Sequence, residues 1–457
     1  MTKDRNKESN KTDSRDLTTG NPFVVLLKFS LPMVLSMVFQ QLYNVVDSIV
    51  AGRFIGSSAL AAVGASSPVT VLFIAVATGC SIGSGVIVSQ LFGLKEKGRL
   101  KSAVYTTLLS VAALSAVLTV VGLIVCNPLL RLLDTPSGIF DDSAAYLSIY
   151  VWGLVFVFVY NAVNSVFTGL GDSRTPLFLL IFSSLLNIGL DLLFVTVFEM
   201  KVAGLAWATF IAQALAAIVA LVWLLVKTKK IKTEEKVKAF DGKLLKRIAV
   251  VAVPSICQQS FISIGQLCVQ SVINGFGEEV IGGYTAAMKV SIMAVSCYNT
   301  VSNAISSFTG QNIGAGKSER VKSGLNCGLL LGAVLVAAFI TLFLTLGRNL
   351  VGLFVTGEGT TGVIDSGGLF LTVVGFGYPL VLVKLCCDGV LRGAGDMTSF
   401  MISTFSDLVL RVALSFILAP YMGFMGICLS YPIGWAGGMA VSLAFYLRGK
   451  WKTKIKV

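Results

Sequence analysis

Histidine is absent from all 457 residues. Imidazole is therefore unavailable for a metal site, a proton relay or a nucleophile–base pair, and proton chemistry falls to carboxylates. Charge is scarce too: 13% of residues are charged and 55% hydrophobic, whereas soluble domains carry about a quarter charged residues. The phosphate-cradling Gly-rich loop with its lysine is missing, which speaks against direct coupling to ATP. The polar N-terminus is followed by no short apolar core with a cleavage site, so no signal peptide is read there. The nine cysteines lie mostly in apolar runs without metal-ligand or disulfide spacing, and read as small buried hydrophobes.

What the chain has instead is long apolar runs, with a mean hydropathy of +0.84. A helix needs about 20 mostly apolar residues to cross a bilayer. Twelve such spans are expected at 23–51, 58–91, 99–126, 140–169, 175–197, 202–227, 247–275, 280–312, 321–346, 365–391, 398–420 and 424–447. The fold class is thus all-α integral membrane, with two pseudo-symmetric six-helix lobes around a central cavity. The expected organisation is a disordered cytoplasmic tail over 1–22, an N-lobe over 23–227 and a basic linker over 228–246. A C-lobe over 247–447 and a cytoplasmic tail over 448–457 complete it.

The formal net charge of +13 does not mark a nucleic-acid binder, because the basic residues crowd into short connections and no aromatic-interleaved basic patch occurs. Lys and Arg are retained on the cytoplasmic side of membranes. Placing both termini there puts inside Lys95, Lys97, Arg99, Lys101, Arg174, the run from Lys227 to Arg247, Lys317, Arg320, Lys322 and Arg392. Only Arg53, Arg131, Lys201 and Arg348 are left outside.

The halves repeat. Gln90, Gly93, Arg99 and Lys101 recur as Gln311, Gly314, Arg320 and Lys322 at an offset of 221. Gly169-Leu170-Gly171-Asp172 recurs as Gly393-Ala394-Gly395-Asp396 at 224, and Met200 and Gly204 as Met422 and Gly426 at 222. Six spans is an even number, so both copies enter from the same side, a parallel repeat about an axis normal to the bilayer.

A charge at mid-membrane costs roughly 2.5–3.5 kcal/mol on insertion scales, so each calls for a reason. In the first half the spans hold Asp47 and Asp191. Gln40, Asn44 and Asp47 share one face of the first span, and Pro32 within that span favours a bend. Asn187 precedes Asp191 by one turn on the fifth. Two carboxylates with an amide suit a hard monovalent cation, and would equally hold protons. The alternatives are an outer-interface place for Asp47 and interhelical hydrogen bonding for the Asn187/Asp191 pair. In the second half, Lys384/Asp388 and Asp407/Arg411 are spaced i,i+4 and can neutralise each other along one helix. A sharper reading puts Lys384 or Asp388 on the cavity wall, with Gln40, Asn44 and Gln258 as further substrate-cavity candidates.

Pro32 fifteen residues before Asp47, Gly52-Arg53-Phe54-Ile55-Gly56, Ser89-Gln90 with Gly93, Gly169–Asp172 with Pro176, and Arg392–Asp396 together resemble the multidrug and toxic compound extrusion (MATE) transporters, prokaryotic type. The resemblance covers the chain beyond its first segment. It implies a cation-coupled exporter whose ion site, H+ or Na+, uses Asp47, Asn187, Asp191 and Thr209; Thr209 enters by resemblance only. A branch that couples through the second lobe uses a Glu on the seventh span and an Asp early in the tenth. Here the seventh span offers Gln258, Gln259, Gln266 and Gln270, and the stretch near Val381 is apolar.

The expected function is antiport: export of amphipathic, often cationic small molecules in exchange for H+ or Na+ by alternating access. The chain is expected to be no enzyme. It would be a monomer in the cytoplasmic (inner) membrane of a prokaryote, with lipid and small-molecule substrates as partners, no nucleic acid, and no cofactor besides the coupling ion. The rival is a lipid-linked glycan flippase of the same superfamily.

Overall fold

The computed structural model describes residues 16–50, 54, 57–354 and 361–453; the side chains of residues 45, 47–50 and 57–60 lie outside the description. In hydrocarbon every backbone N–H and C=O must be answered within the chain, so long apolar runs fold as helices. The helices are α1 (Pro22–Val50), α2 (Ser57–Leu94), α3 (Lys97–Leu132), α4 (Ser137–Trp152), α5 (Leu154–Gly169), α6 (Arg174–Leu192) and α7 (Lys201–Lys230). There follow α8 (Gly242–Ile273), α9 (Glu278–Gly314), α10 (Ser318–Gly352), α11 (Thr361–Ala394), α12 (Met397–Met422) and α13 (Phe424–Arg448). Eleven are long and apolar enough to cross a membrane, and α4 with α5 makes a twelfth crossing bent by 48°. The bend is at Gly153, inside the run that the sequence reads as one helix; glycine weakens a helix interior.

Contacts divide the chain into two compact units. Unit 1 is Met1–Val34 with Cys257–Val457, and unit 2 is Leu35–Ile256. The division therefore falls inside α1 and α8, close to Pro32 and Pro254. Both prolines lie within α-helix that continues past them, so α1 is unbroken at Pro32.

The repeat is visible atom by atom. Gly171 and Gly395 both take the left-handed backbone, at φ 78° and 80°. Their N–H groups close on Thr168 and Arg392 carbonyls, each at 2.9 Å. Asp172 accepts from the Thr175 hydroxyl and Asp396 from the Ser399 hydroxyl, both at 2.8 Å. In unit 2, α2 and α5 approach so closely that a Cβ on Gly169 would stand 2.7 Å from the Gly85 carbonyl oxygen. In unit 1, α9 and α11 do the same, with Gly393 against the Ser306 carbonyl at 2.3 Å. Small residues let helix backbones meet where lipid supplies no hydrophobic drive between them.

Residues 16–21, expected to belong to a disordered tail over 1–22, are held against the fold; residues 1–15 of that expected tail lie outside the described residues. Leu17 N–H donates to Gln311 Oε1 at 2.9 Å, and Asn312 Nδ2 donates to the Leu17 carbonyl at 3.2 Å. Lys317 donates to the Thr18 carbonyl and Arg320 to those of Thr19 and Gly20. Leu17 is 2% exposed. Polar side chains at the α9–α10 turn thus answer backbone groups that the polar segment could not pair by itself. At the other end, Trp451 is buried and stacks on Tyr446 at 5.6 Å, so the expected tail begins as a packed 3₁₀ turn.

Candidate functional site

In unit 2 the polar centre is built on α6 and α7 with a contribution from α1. Asp191 is 0% and Asn187 3% exposed, one turn apart on the same face of α6. With the Asn187 amide oriented by its partners, its NH2 donates to Asp191 Oδ2 at 3.1 Å and to the Tyr43 hydroxyl at 2.7 Å. Its oxygen accepts from Thr209 N–H at 3.1 Å. The structure therefore brings together Asn187, Asp191 and Thr209, the three members of the expected ion site whose side chains it describes. The side chain of Asp47 lies outside the described residues.

Tyr43 is the residue that sequence reasoning missed. An aromatic in an apolar run reads as core, yet Tyr43 precedes Asp47 by one helical turn, the spacing that would have placed it beside the acid. Gln40 and Asn44, the expected cavity stripe, are exposed, and Asn44 Nδ2 donates to Gln41 Oε1 at 3.3 Å. It is Tyr43, between them on α1, that reaches Asn187.

What this arrangement can do follows from its donors. A carboxylate withdrawn from water keeps its charge only if hydrogen bonds or an ion answer it. Turned N–H first, the Asn187 amide answers the Asp191 carboxylate; turned oxygen first, it joins that carboxylate in an oxygen set for a monovalent cation. The same cluster therefore suits a proton or a Na+ ion.

Unit 1 holds a second polar centre, of different character. Lys384 Nζ lies 2.8 Å from Asp388 Oδ2 on α11 and 3.8 Å from Asp407 Oδ2 on α12. Ser403 and Ser442 hydroxyls donate to Asp388 Oδ1 at 3.0 and 2.6 Å. Lys384 and Asp388 are 3% and 1% exposed, and they form a closed ion network. Gln258 is buried on α8 in the same unit; among the described residues no hydrogen bond joins it to either.

The expected Asp407/Arg411 pair is not formed. Asp407 turns to Lys384, while the Arg411 guanidinium lies 5.2 Å over the Tyr431 ring. Tyr431 shares a 2.8 Å hydrogen bond with the Tyr284 hydroxyl. Spacing i,i+4 permits a pair, but a cation–π contact and a better-placed lysine compete for the same charges.

Family models match this chain twice: MatE over residues 32–193 and again over 254–417. The chain belongs to the MatE family. The two matches start at residues 32 and 254, where Pro32 and Pro254 stand, and so fall on the duplication seen in the turns. This MatE chain is 29% identical over 439 residues to the probable multidrug resistance protein YpnP of Bacillus subtilis, spanning 96% of this chain and 97% of that one. It is 22% identical to the probable multidrug resistance protein NorM of Thermotoga maritima, over 94% and 93% of the two chains. In fold it is similar to a MOP superfamily transporter from Pyrococcus furiosus, with a TM-score of 0.90, 22% identity and coverage of 98% and 99%. The MatE chain is accordingly a multi-pass protein of a membrane-transporter family, which is not a class of enzymes; the relatives' names do not favour a glycan flippase.

Proposed function

We propose that this MatE chain is a secondary antiporter that exports amphipathic, often cationic small molecules and takes up a monovalent cation in exchange. The observation that carries the reading is Asp191: a carboxylate closed to solvent inside a membrane-spanning unit, held by an amide that Tyr43 and Thr209 hold in turn. Such an acid is costly unless it is used. Uptake of the ion at Asp191, together with Asp47 of α1, would neutralise unit 2 and weaken its hold on a cationic cargo. Release of the ion on the other side would restore it.

The coupling ion is H+ or Na+, both of which the Asp191 cluster suits. One charge moving through 100 mV contributes about 2.3 kcal/mol, and at about 1.4 kcal/mol per decade that sustains roughly a forty-fold substrate gradient. The chain would act as a monomer in the cytoplasmic membrane, both termini inside as its Lys and Arg distribution favours, with no cofactor and no nucleic-acid partner. Dye efflux from reconstituted vesicles, with proton and sodium gradients imposed separately, tests this. Efflux should follow one gradient in wild type and be lost in Asp191→Asn and Asp47→Asn. Efflux indifferent to both gradients would remove the proposal.

A further inference from the structure

The connection from α7 to α8, residues 231–241, is not a slack tether. Lys101 Nζ donates to the Ile231 carbonyl at 3.2 Å, and Glu235 Oε2 accepts from Gly98 N–H at 2.8 Å. Lys238 N–H donates to Ser102 Oγ and Asp241 N–H to Thr106 Oγ1, at 2.9 and 3.0 Å. Gly98, Lys101, Ser102 and Thr106 form one stripe at the start of α3, so the connection is laid along that helix over its whole length. A Cβ on Gly98 would stand 2.4 Å from Glu235 Oε2, so the seat depends on that glycine.

With its inner side occupied, the connection turns a mixed face outward. Lys229, Lys230, Lys232, Lys236, Lys243 and Lys246 are exposed, and among the described residues no acid lies within ion-pairing distance of any of them. Between them Phe240 and Val237 are 52% and 37% exposed. An apolar ring amid lysines is poorly placed in water but well placed at the boundary between lipid headgroups and acyl chains. There the ring enters and the ammonium groups reach phosphates. The strip joins the ends of two membrane-crossing helices, which holds it at the level of the bilayer surface. Basic clusters immediately flanking a crossing helix are attracted to acidic lipid.

We infer that this strip is a docking surface for anionic phospholipid headgroups of the bilayer the chain spans, with Phe240 inserted among them.

The test titrates phosphatidylglycerol into full-length protein in a neutral detergent and reads the rise in melting temperature, with phosphatidylcholine as the parallel arm. Wild type should respond to phosphatidylglycerol far more than to phosphatidylcholine, and the response should shrink at high salt. Replacing Lys232, Lys236, Lys243 and Lys246 by Gln should raise the half-maximal lipid concentration by about tenfold or more. Neutralising Lys322, Lys450 and Lys452, at the ends of other helices, should change it little. Gly98→Ala keeps every charge yet unseats the strip, and Phe240→Ser keeps both charge and seat; each should weaken the response, so the test survives a quadruple variant that fails to fold. Equal responses to the two lipids, an unchanged midpoint in the strip variants, or equal protection by soluble glycerol phosphate would overturn the inference.

Discussion

Asn187 in unit 2 and Arg411 in unit 1 occupy corresponding places in the repeat, at the offset of 224 that relates their preceding turns. By the same offset Asp191 corresponds to Ser415. Beyond the next loop the offset is 222, and Thr209 corresponds to Tyr431. The packing supports the alignment: Gly204 abuts Phe194 and Gly426 abuts Leu418, equivalent neighbours in the two copies. The pairwise contact is kept while its chemistry changes. Asn187 meets Thr209 through a hydrogen bond, and Arg411 meets Tyr431 through a ring face. Ser415 closes its hydroxyl on the Val412 carbonyl at 2.7 Å. One copy thus keeps an acid among an amide, a phenol and a threonine. The other carries its positive charge on the chain, beside a network whose acids are answered by lysine. A fold can be duplicated faithfully and still hold an acid by an amide in one half and by a lysine in the other.

The comparison is broken most directly at Asp191. Asp191→Asn should reduce coupled dye export to background while leaving expression and melting temperature near wild type, because a neutral amide fits where the acid stood. The opposite profile is expected in unit 1. Lys384→Met should destabilise the protein by about 3–5 kcal/mol, the cost of leaving buried acids without their cation, seen as a lower melting temperature in detergent. If Lys384→Met left stability intact but abolished export, the contrast between the two centres would fail.

Two changes probe what the copies share. Gly393→Ala pushes a methyl group into the Ser306 carbonyl and should cost about 1–3 kcal/mol as α9 and α11 part, measured by thermal melting. Asp172→Asn should cost roughly 1.5 kcal/mol and make the loss pH-dependent. Burial alone would lift the Asp172 carboxyl, but hydrogen bonds from Lys227 and Thr175 hold it below the ordinary range. A carboxyl depressed in the folded state stabilises fully above its unfolded value of about 3.9, and the benefit is lost as pH falls through the folded value. The gap between wild type and variant should therefore be complete at neutral pH and close on acidification. Asp396→Asn should cost less, since Gly449 stands where the repeat would place a second Lys227. The smallest effect belongs to Arg320→Ala, which frees residues 19 and 20. Faster proteolysis ahead of α1 with little change in melting temperature is the expected result.

Much of this was legible in the residue order, for physical reasons. Twelve crossings follow from hydropathy, and the duplication from three short motifs whose turns demand the same residues twice. Gly153 could not be seen as a break, because a glycine in an apolar run leaves hydropathy untouched. Residues 16–20 carry no periodicity, so nothing in their order betrays the side chains of Gln311, Asn312 and Arg320 that hold them. At the site, Asp191 and Asn187 stand out as polar groups in lipid, whereas Tyr43 hides among aromatics and Thr209 among small helix residues. Arg411 misleads for a different reason: its length lets it pass over the acid one turn away and settle on a ring from another helix.

The wide turn at Leu193–Val197 bears on how such a molecule diverges. The first copy is two residues longer than the second between Asp172 and Met200, and the surplus falls where the chain leaves α6, beyond the Phe194 position whose contact with Gly204 both copies keep. Length could therefore drift at the reversal while the facing side chains stayed in step, and those facing positions were left free to be rewritten, as an amide beside an acid in one copy and a cation over a ring in the other.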